Sequence, residues 1–387
     1  MRIYLDNAAT SWPKPEAVYA AVDSYQRELG APAARSGYAD ASEVTQAVAR
    51  ARLELSRLLG VGALSHVIFT ANGTDALNLG IQGTLRAGDH VVTTVVEHNS
   101  VLRPLTELAG SRGITVSRVG CSGAGVVDPD DVRRAVTPRT RLIVVSHASN
   151  VTGALQPIAQ IGQIARELGV LFLVDAAQTA GHVPLDMSQL EIDMLATPGH
   201  KGLLGPSGTG LLCLRPGMEH HLRSLRQGGT GTQSDQDRQP DTLPEKYEAG
   251  SLNVPGILGL GAAAKHLREL GLARVREHSL QLNARFLAGL SDFTGLRLYG
   301  PETADARVGL FSVGLEGYDP QELAAALDSA HRIQCRAGLH CAPLMHAALG
   351  TAAGGGTVRF SHGWFNTTDD VDRALAALAE IAAAVSL

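Results

Sequence analysis

Cysteine is scarce in this sequence, with four residues among 387. So few cysteines in so long a chain do not form a disulfide framework, and they favour a reducing compartment. We therefore expect a cytoplasmic location. Long apolar runs are also lacking: Val170 to Val174 is one of the longest, whereas a membrane-spanning helix needs about 20 apolar residues. The sequence predicts no membrane partner.

An excess of positive charge is lacking as well. Lysine and arginine number 33 against 38 acidic residues, and the net charge is -5 with no long block of either sign. A nucleic-acid-binding face needs clustered positive charge, so we expect no nucleic-acid partner. Hydrophobic residues make up 44% of the chain and charged residues 18%, which is typical of a folded globular protein.

Short β-branched runs alternate with longer alanine- and leucine-rich segments along the chain. This pattern is typical of a parallel sheet covered by helices, so we predict an α/β fold. The predicted strands are residues 66–71, 89–96, 141–149, 169–177 and 208–214. They are apolar on both faces, as buried parallel strands are.

The length of the chain predicts a large domain with a smaller one attached. We predict an N-terminal segment (1–15) that packs with the small domain, a large α/β domain (16–255) and a small α+β domain (256–387). The composition turns polar from Gln227 to Glu248, which predicts a long loop. Long loops in compact enzymes usually serve a site or an interface.

An aspartate and a lysine stand near the end of one apolar strand. Asp175 follows the run of 169–174, at the strand end where open α/β sheets form ligand crevices. Lys201 lies in a Gly-His-Lys-Gly turn, whose small residues leave room for a bulky ligand. Each has an ordinary structural explanation, a helix cap for the aspartate and a loop position for the lysine. Together they suit pyridoxal phosphate, which needs an amine for its Schiff base and an anion for its ring nitrogen.

A phosphate site is also readable in the sequence. In "TANGTDALN" Gly73, Thr74 and Asp75 stand where a strand passes into a helix, and free backbone N–H groups there favour a phosphate. A capped helix start explains the same residues equally well. His98 in "EHNS" follows another strand end, where its ring is either stacked on a cofactor or packed as a structural histidine.

These motifs together resemble a known family. The motifs "YLDNAAT", "GTDALN", "EHNS", "HASNVTG", "VDAAQ", "PGHKGLLGPSGTG", "EAGSLN", "RAGLHCAP" and "VRFSHGWFNT" occur in the order found in cysteine desulfurases, which belong to the class V aminotransferase group. The resemblance runs from residue 4 to beyond residue 370, and "RAGLHCAP" is similar to the SUF-type (group II) branch that includes selenocysteine lyases. It implies the fold-type I architecture of pyridoxal-phosphate (PLP) enzymes and no metal.

Carried over by position, the resemblance implies roles for individual residues. Lys201 would be the Schiff-base lysine, Asp175 the partner of the pyridinium nitrogen, and His98 a catalytic residue stacked on the ring. Arg359 and Asn7 would bind the substrate, and a guanidinium suits its carboxylate. The remaining implied cofactor contacts are Gly73, Thr74, Asp75, Asn150, Gln178, His200 and Ser251.

Ser251 matches a hydroxyl residue that reaches the phosphate of the neighbouring subunit, which implies a homodimer with shared sites. Some positions depart from the family pattern. Pro198 stands where a serine or threonine usually adds a phosphate hydrogen bond, with Thr197 beside it as a candidate substitute. Tyr38 replaces a frequent histidine, and "HAALGTAAGGGT" is longer and richer in glycine than in the relatives. These departures bear on substrate choice.

Cys341 in "CRAGLHCAP" is interpreted as the nucleophile. A free thiol has a pKa of about 8.5, so activation must come from His340, a nearby cation or proton transfers of the substrate. The resemblance implies conversion of L-cysteine to L-alanine, with the sulfur held on Cys341 as a persulfide and passed to an unidentified acceptor protein.

Other functions fit the same fold and cofactor. These alternatives are a selenocysteine lyase, a C–S β-lyase, an aminotransferase, and a PLP-binding or sulfur-carrier protein without turnover. Taken alone, Cys341 also fits a small buried structural residue.

Overall fold

The central feature of the fold is a seven-stranded sheet, seen in a computed structural model that describes residues 2–33, 37–291 and 293–385. The strands of the chain are β1 (Ile3–Tyr4), β2 (Val67–Thr70), β3 (His90–Thr94), β4 (Thr115–Val119), β5 (Thr140–Ser146), β6 (Leu171–Asp175), β7 (Met194–Pro198), β8 (Gly210–Leu214), β9 (Leu296–Tyr299), β10 (Leu310–Leu315), β11 (Ile333–Gln334), β12 (Arg336–Gly338) and β13 (Thr357–Ser361). The order in the large sheet is β2-β8-β7-β6-β5-β3-β4. Its neighbouring strands are parallel except for the two pairs that β8 makes. The prediction of a mostly parallel α/β sheet is confirmed.

Helices cover this sheet and the smaller ones. They are α1 (Glu16–Ser24), α2 (Ala39–Leu59), α3 (Gly73–Thr84), α4 (Asn99–Arg112), α5 (Pro129–Ala135), α6 (Ile158–Glu167), α7 (Val254–Leu270), α8 (Leu272–Leu290), α9 (Pro320–His331), α10 (Pro343–Leu349) and α11 (Thr368–Val385). Within the residues described, no helix has both the length and the apolar character needed to cross a membrane.

The strands of the large sheet are apolar on both faces because alternate residues enter two different cores. On β6, Phe172 and Val174 belong to one core and Leu173 to the other. The five strands predicted from sequence each overlap an observed strand, and most of the predicted ends extend past the observed ones by one to three residues. The polar stretch of 227–248 contains no helix or strand, as predicted for a loop.

Two smaller sheets lie in the rest of the fold. The antiparallel sheet has the order β12-β13-β10-β9, and its core includes Phe286, Phe311 and Phe360. The N-terminal β1 pairs with β11, so the start of the chain joins a strand from its C-terminal third. Helix α7 packs against α1 and α2. The domain boundaries at 15/16 and 255/256 stay predictions.

A buried arginine connects the loop at Thr152 with strand β10 by hydrogen bonds. Arg307 has 0% exposure and donates to the carbonyl oxygens of Pro301 at 2.5 Å, Leu310 at 2.6 Å and Thr152 at 3.1 Å. Its guanidinium lies 4.0 Å from the centroid of the Phe311 ring. Burial lowers the pKa of Arg307 to about 9. One guanidinium donates to all three carbonyl oxygens. Arg307 therefore holds the Thr152 loop against β10.

We predict that Arg307→Lys lowers the free energy of unfolding by about 3 kcal/mol, because an ammonium cannot donate in the same fork and leaves buried carbonyls unsatisfied. Chemical denaturation measures the change. The matched control is Arg50→Lys at an exposed position of α2, where we expect less than about 0.5 kcal/mol. Equal stability of the two variants would contradict this role of Arg307.

Candidate active site

A cavity that is partly open to solvent lies at the carboxyl ends of the central strands. Parallel strands bring their ends to one edge of a sheet, so residues far apart in sequence meet there. The lining includes Gly73, Thr74, His98, Ser146, Asn150, Asp175, Gln178, Pro198, His200 and Lys201. Most residues predicted to contact a cofactor are therefore in one place.

Lys201 and Asp175 share this cavity. The Asp175 carboxylate accepts a hydrogen bond from the Ala177 N–H at 2.9 Å. Burial raises the pKa of Asp175, and the Ala177 hydrogen bond and Lys201 oppose that shift. Burial also lowers the pKa of Lys201 to about 8, against the attraction of Asp175. A lysine with this pKa is partly unprotonated near neutral pH, as attack on an aldehyde requires.

His98 caps the N-terminus of α4 with its ring. The Ser100 N–H donates to Nδ1 of His98 at 3.0 Å, so Nδ1 is unprotonated. Burial, reinforced by Lys201 and other cations, lowers the pKa of His98 to about 4. The ring is thus neutral at physiological pH. The Ser100 hydroxyl connects it to Thr74, whose Oγ1 is 2.8 Å away.

Gly73 and Pro198 pack closely at the start of α3. A Cβ atom added to Gly73 would come within 2.9 Å of Pro198 Cδ, so only glycine fits beside this proline. Thr197 is buried, and its hydroxyl donates to the carbonyl oxygen of Pro198 at 3.3 Å. Because successive strand residues face opposite sides, Thr197 lies outside the cavity lining. The Thr197 hydroxyl is therefore bonded away from the cavity lining.

Two lining residues have buried polar atoms that the described residues do not satisfy. They are Nδ1 of His200 and Oδ1 of Asn150. Burial lowers the pKa of His200 to about 4, with Lys201 and Lys14 adding to the shift. Buried polar atoms rarely lack partners, so these two leave hydrogen-bonding capacity unused in residues that line the cavity. Gln178 also lines the cavity and donates to the Ala8 carbonyl oxygen at 3.2 Å.

Five residues predicted for the site lie outside this lining: Asp75, Asn7 and Ser251, which are described here, and Cys341 and Arg359, which are described below. The Asp75 carboxylate accepts from the Ala71 N–H and pairs with Arg226, both at 3.0 Å. Asn7 donates to the Ser361 carbonyl oxygen at 3.1 Å, which holds the N-terminal segment against β13. Ser251 is exposed and borders a separate cavity. Asp75 directly follows Gly73 and Thr74, which line the main cavity, so position in the motif alone did not separate it from them.

Cys341 lies at the border of a second cavity that adjoins the first at Thr74 and His98. Both His340 and Cys341 have positive φ angles, 48° and 59°. This conformation is uncommon outside glycine and often marks a functional turn. The thiol faces a cation, since Nη2 of Arg336 is 3.6 Å from Sγ of Cys341. The sequence analysis missed Arg336, although it belongs to the same "CRAGLHCAP" motif.

His340 is not a cation that could activate the thiol. Its Nε2 is 3.1 Å from both the carbonyl oxygen and the hydroxyl of Thr357, so Nε2 carries the hydrogen. Burial lowers the pKa of His340 to about 2, and Arg359 adds to the shift. The neutral ring therefore supports the turn, and Arg336 is the cation beside Cys341.

Arg359 is 1% exposed and lies beneath Asn150. Its Nη1 donates to the Asn150 carbonyl oxygen and its Nη2 to Oδ1 of Asp6, both at 3.0 Å. Its buried Nε has no partner among the described residues. Burial lowers the pKa of Arg359 while Asp6 opposes the shift. The sequence analysis missed Asp6, which stands next to Asn7 in "YLDNAAT".

Comparisons with known proteins agree with this arrangement. The family model Aminotransferase class-V matches residues 3–374. A "Probable cysteine desulfurase" of Methanothermobacter thermautotrophicus is 36% identical, over 98% of this chain and 94% of the relative. A protein of the same description from Halalkalibacterium halodurans is 34% identical, over 96% of this chain and 90% of the relative. The chain belongs to the class-V aminotransferase family.

Solved structures carry the likeness further. The apo structure of a cysteine desulfurase from Thermococcus onnurineus NA1 has a TM-score of 0.93 and 31% identity, over 99% of this chain and 95% of that chain. The cysteine desulfurase CsdA (S-sulfonic acid) from Escherichia coli has a TM-score of 0.86 and 29% identity, over 98% and 94%. The fold-type I architecture and the resemblance to cysteine desulfurases are confirmed.

We predict that Gly73→Ala weakens PLP binding by about tenfold or more, because the added methyl group overpacks against Pro198 where α3 begins. Titration of the apoprotein with PLP, followed by absorbance, measures the dissociation constant. Gly110→Ala makes the same chemical change in α4, where no atom lies within 4 Å of the added Cβ. Unchanged affinity in the Gly73 variant would contradict the assignment of this helix start to the cofactor.

Proposed function

We propose that this protein is a PLP-dependent cysteine desulfurase that converts L-cysteine to L-alanine and holds the sulfur on Cys341 as a persulfide. One observation carries the proposal: the Cys341 thiol borders a cavity that adjoins the cavity of Lys201 and Asp175. The family membership of the chain supports it. We further propose a cytoplasmic location, from the scarcity of cysteine, and an acceptor protein that takes the sulfur.

The residues of the main cavity fit the cofactor. Lys201 would bind its aldehyde carbon, Asp175 its ring nitrogen, and the neutral ring of His98 one of its faces. His200 and Asn150, each with an unsatisfied polar atom, would contact its phosphate and ring substituents. When bound, PLP supplies an electron sink for charge that develops on the substrate carbon.

Of the other residues predicted to contact the cofactor, Gly73 and Thr74 line this cavity, whereas Asp75 and Ser251 lie outside it. The hydroxyl of Thr74 and the N–H groups at Gly73 would hold the phosphate. In this proposal Asp75 acts indirectly, through its bond to Ala71 at the start of α3. Ser251 is exposed and would contact the phosphate in a second copy of the chain, so we propose a homodimer.

Arg359 would hold the substrate carboxylate. A guanidinium has five N–H hydrogens, and the contacts to Asn150 and Asp6 use two of its nitrogens. The buried Nε–H faces no acceptor among the described residues and is available to a carboxylate. Asn7 would act by holding the N-terminal segment against β13, which keeps Asp6 beside Arg359.

Sulfur transfer requires the thiolate of Cys341. The guanidinium of Arg336, whose Nη2 is 3.6 Å from Sγ of Cys341, would lie beside that anion. A bond forms between the two sulfur atoms as the substrate Cβ–S bond breaks. The electron pair of the broken bond stays on the substrate carbon, which takes up a proton and leaves as alanine. The sulfur atom remains on Cys341 at the persulfide oxidation level, so no external oxidant is needed.

Cys341→Ala separates this function from its alternatives. We predict that alanine release from cysteine falls by about a thousandfold and that no persulfide forms, because the sulfur has no nucleophile to receive it. Mass spectrometry of the protein after incubation with cysteine detects the added sulfur. Cys121→Ala, a half-exposed cysteine away from both cavities, is the matched control.

A variant that keeps turning over cysteine without Cys341 would identify a C–S β-lyase or an aminotransferase. Comparison of cysteine with selenocysteine as substrates of the unaltered protein tests the selenocysteine lyase. Absence of turnover with either substrate would leave a PLP-binding or sulfur-carrier protein.

The lowered pKa of Lys201 predicts the pH dependence of cofactor loading. The attacking amine must be unprotonated, so the loading rate should rise with pH up to about 8 and then level off. An ordinary lysine would continue to gain rate up to about 10.5. Stopped-flow absorbance of the apoprotein mixed with PLP measures the profile. A rate that climbs steadily towards the higher value would contradict the burial of this amine.

A further inference from the structure

A second buried carboxylate lies behind the candidate cofactor site. Glu97 has 0% exposure and follows β3 in the turn before α4. It accepts hydrogen bonds from the Thr94 hydroxyl at 2.7 Å, the Ser146 hydroxyl at 2.7 Å and the Ser146 N–H at 3.0 Å. No arginine, lysine or histidine in the described ranges pairs with it. All its contacts are donors, as an ionised carboxylate requires.

The partners of Glu97 belong to the candidate site. Ser146 lines the main cavity and lies opposite Asp175 in the pairing of β5 with β6. Glu97 also precedes His98 in the chain. The Glu97 carboxylate therefore connects β5, which lies beside Asp175, with the turn that carries His98.

Glu97 and Asp175 repel each other across this pairing. Burial, with a smaller contribution from Asp175, raises the pKa of Glu97 to about 7. The other titratable groups that adjoin Glu97 in sequence or through Ser146 are His98 and His147. Burial lowers the pKa of each to about 4, so both are neutral where Glu97 titrates. Lys201 then opposes the charge of Asp175, whereas neither histidine beside Glu97 carries a charge that opposes its own.

We propose that Glu97 is a positioning residue that aligns Ser146 and adds a second negative charge behind Asp175, so that the ring nitrogen of bound PLP keeps its proton. The proposal rests on the function proposed above. Removing an anion from a water-poor site weakens the proton affinity of neighbouring bases. A carboxylate with only neutral donors would be a costly way to join two strands, since an amide or hydroxyl forms comparable bonds.

The test measures the protonation of the PLP ring nitrogen directly. PLP labelled with ¹⁵N at this position is bound to the protein, and its NMR shift reports protonation across a pH series. In Glu97→Gln, which removes the charge and keeps the size, we expect the nitrogen to lose its proton at a pH lower by about one unit or more. We also expect kcat to fall by about tenfold with little change in KM.

Thr94→Val is the matched control. It removes one hydrogen bond of Glu97 and keeps the ionisable carboxyl group, so at a pH where that carboxyl is ionised the nitrogen should be protonated as in the unaltered protein, even if the variant unfolds more readily. Glu97→Met is a second charge-removing variant for use if the glutamine variant does not fold. A nitrogen that titrates alike in the charge-removed and unaltered proteins would overturn the proposal.

The apoprotein gives a readout that needs no cofactor. A carboxylate whose folded pKa is raised loses its stabilising contribution as pH rises through that pKa. The unaltered apoprotein should therefore lose stability between about pH 4.5 and 7 relative to Glu97→Gln. A difference that does not change with pH would overturn the assignment of charge to Glu97. If the unaltered protein binds no PLP, the function proposed above fails, and this proposal fails with it.

Discussion

The removal of water from one amine and one carboxylate is the constraint on which this site depends. Asp175 and Lys201 face the same cavity, where burial pushes both towards their neutral forms and their mutual attraction opposes it. The balance leaves an amine that is partly unprotonated near neutral pH. An exposed lysine is almost entirely protonated there and would react slowly with an aldehyde. The burial of the Lys201 amine is therefore what would make it reactive towards an aldehyde cofactor near neutral pH.

The two halves of the chain contribute opposite charges to this arrangement. The large sheet supplies the carboxylates at its strand ends. The small sheet supplies two guanidiniums, since β12 and β13 pair so that Arg336 lies opposite Arg359. One faces the Cys341 thiol and the other faces Asp6. Both cations also lower the pKa of Lys201. The pairing of β12 with β13 thus places one cation beside the Cys341 thiol, and both cations act on the Lys201 amine.

The sequence predicted those parts of the fold and site that depend on neighbouring residues. Buried strands and the helix start at Gly73 produce local sequence patterns. They could therefore be predicted, and the structure confirms them. Contacts such as Asp6 with Arg359 join residues more than 350 positions apart, and no local pattern records such a contact. Contacts of single side chains are equally absent from local patterns: the Thr197 hydroxyl donates to the Pro198 carbonyl oxygen, and the Asp75 carboxylate bonds to the Ala71 N–H and Arg226. Single-residue roles within a motif need the three-dimensional structure.

We propose that Lys201 would bind the aldehyde carbon of PLP opposite Asp175. Reduction of the PLP-loaded protein with borohydride makes that bond permanent, and peptide mapping by mass spectrometry then locates the modified residue. The account predicts a single pyridoxyl group on the peptide that contains Lys201, and its loss in Lys201→Arg. Modification of another lysine in its place, or of none, would contradict it.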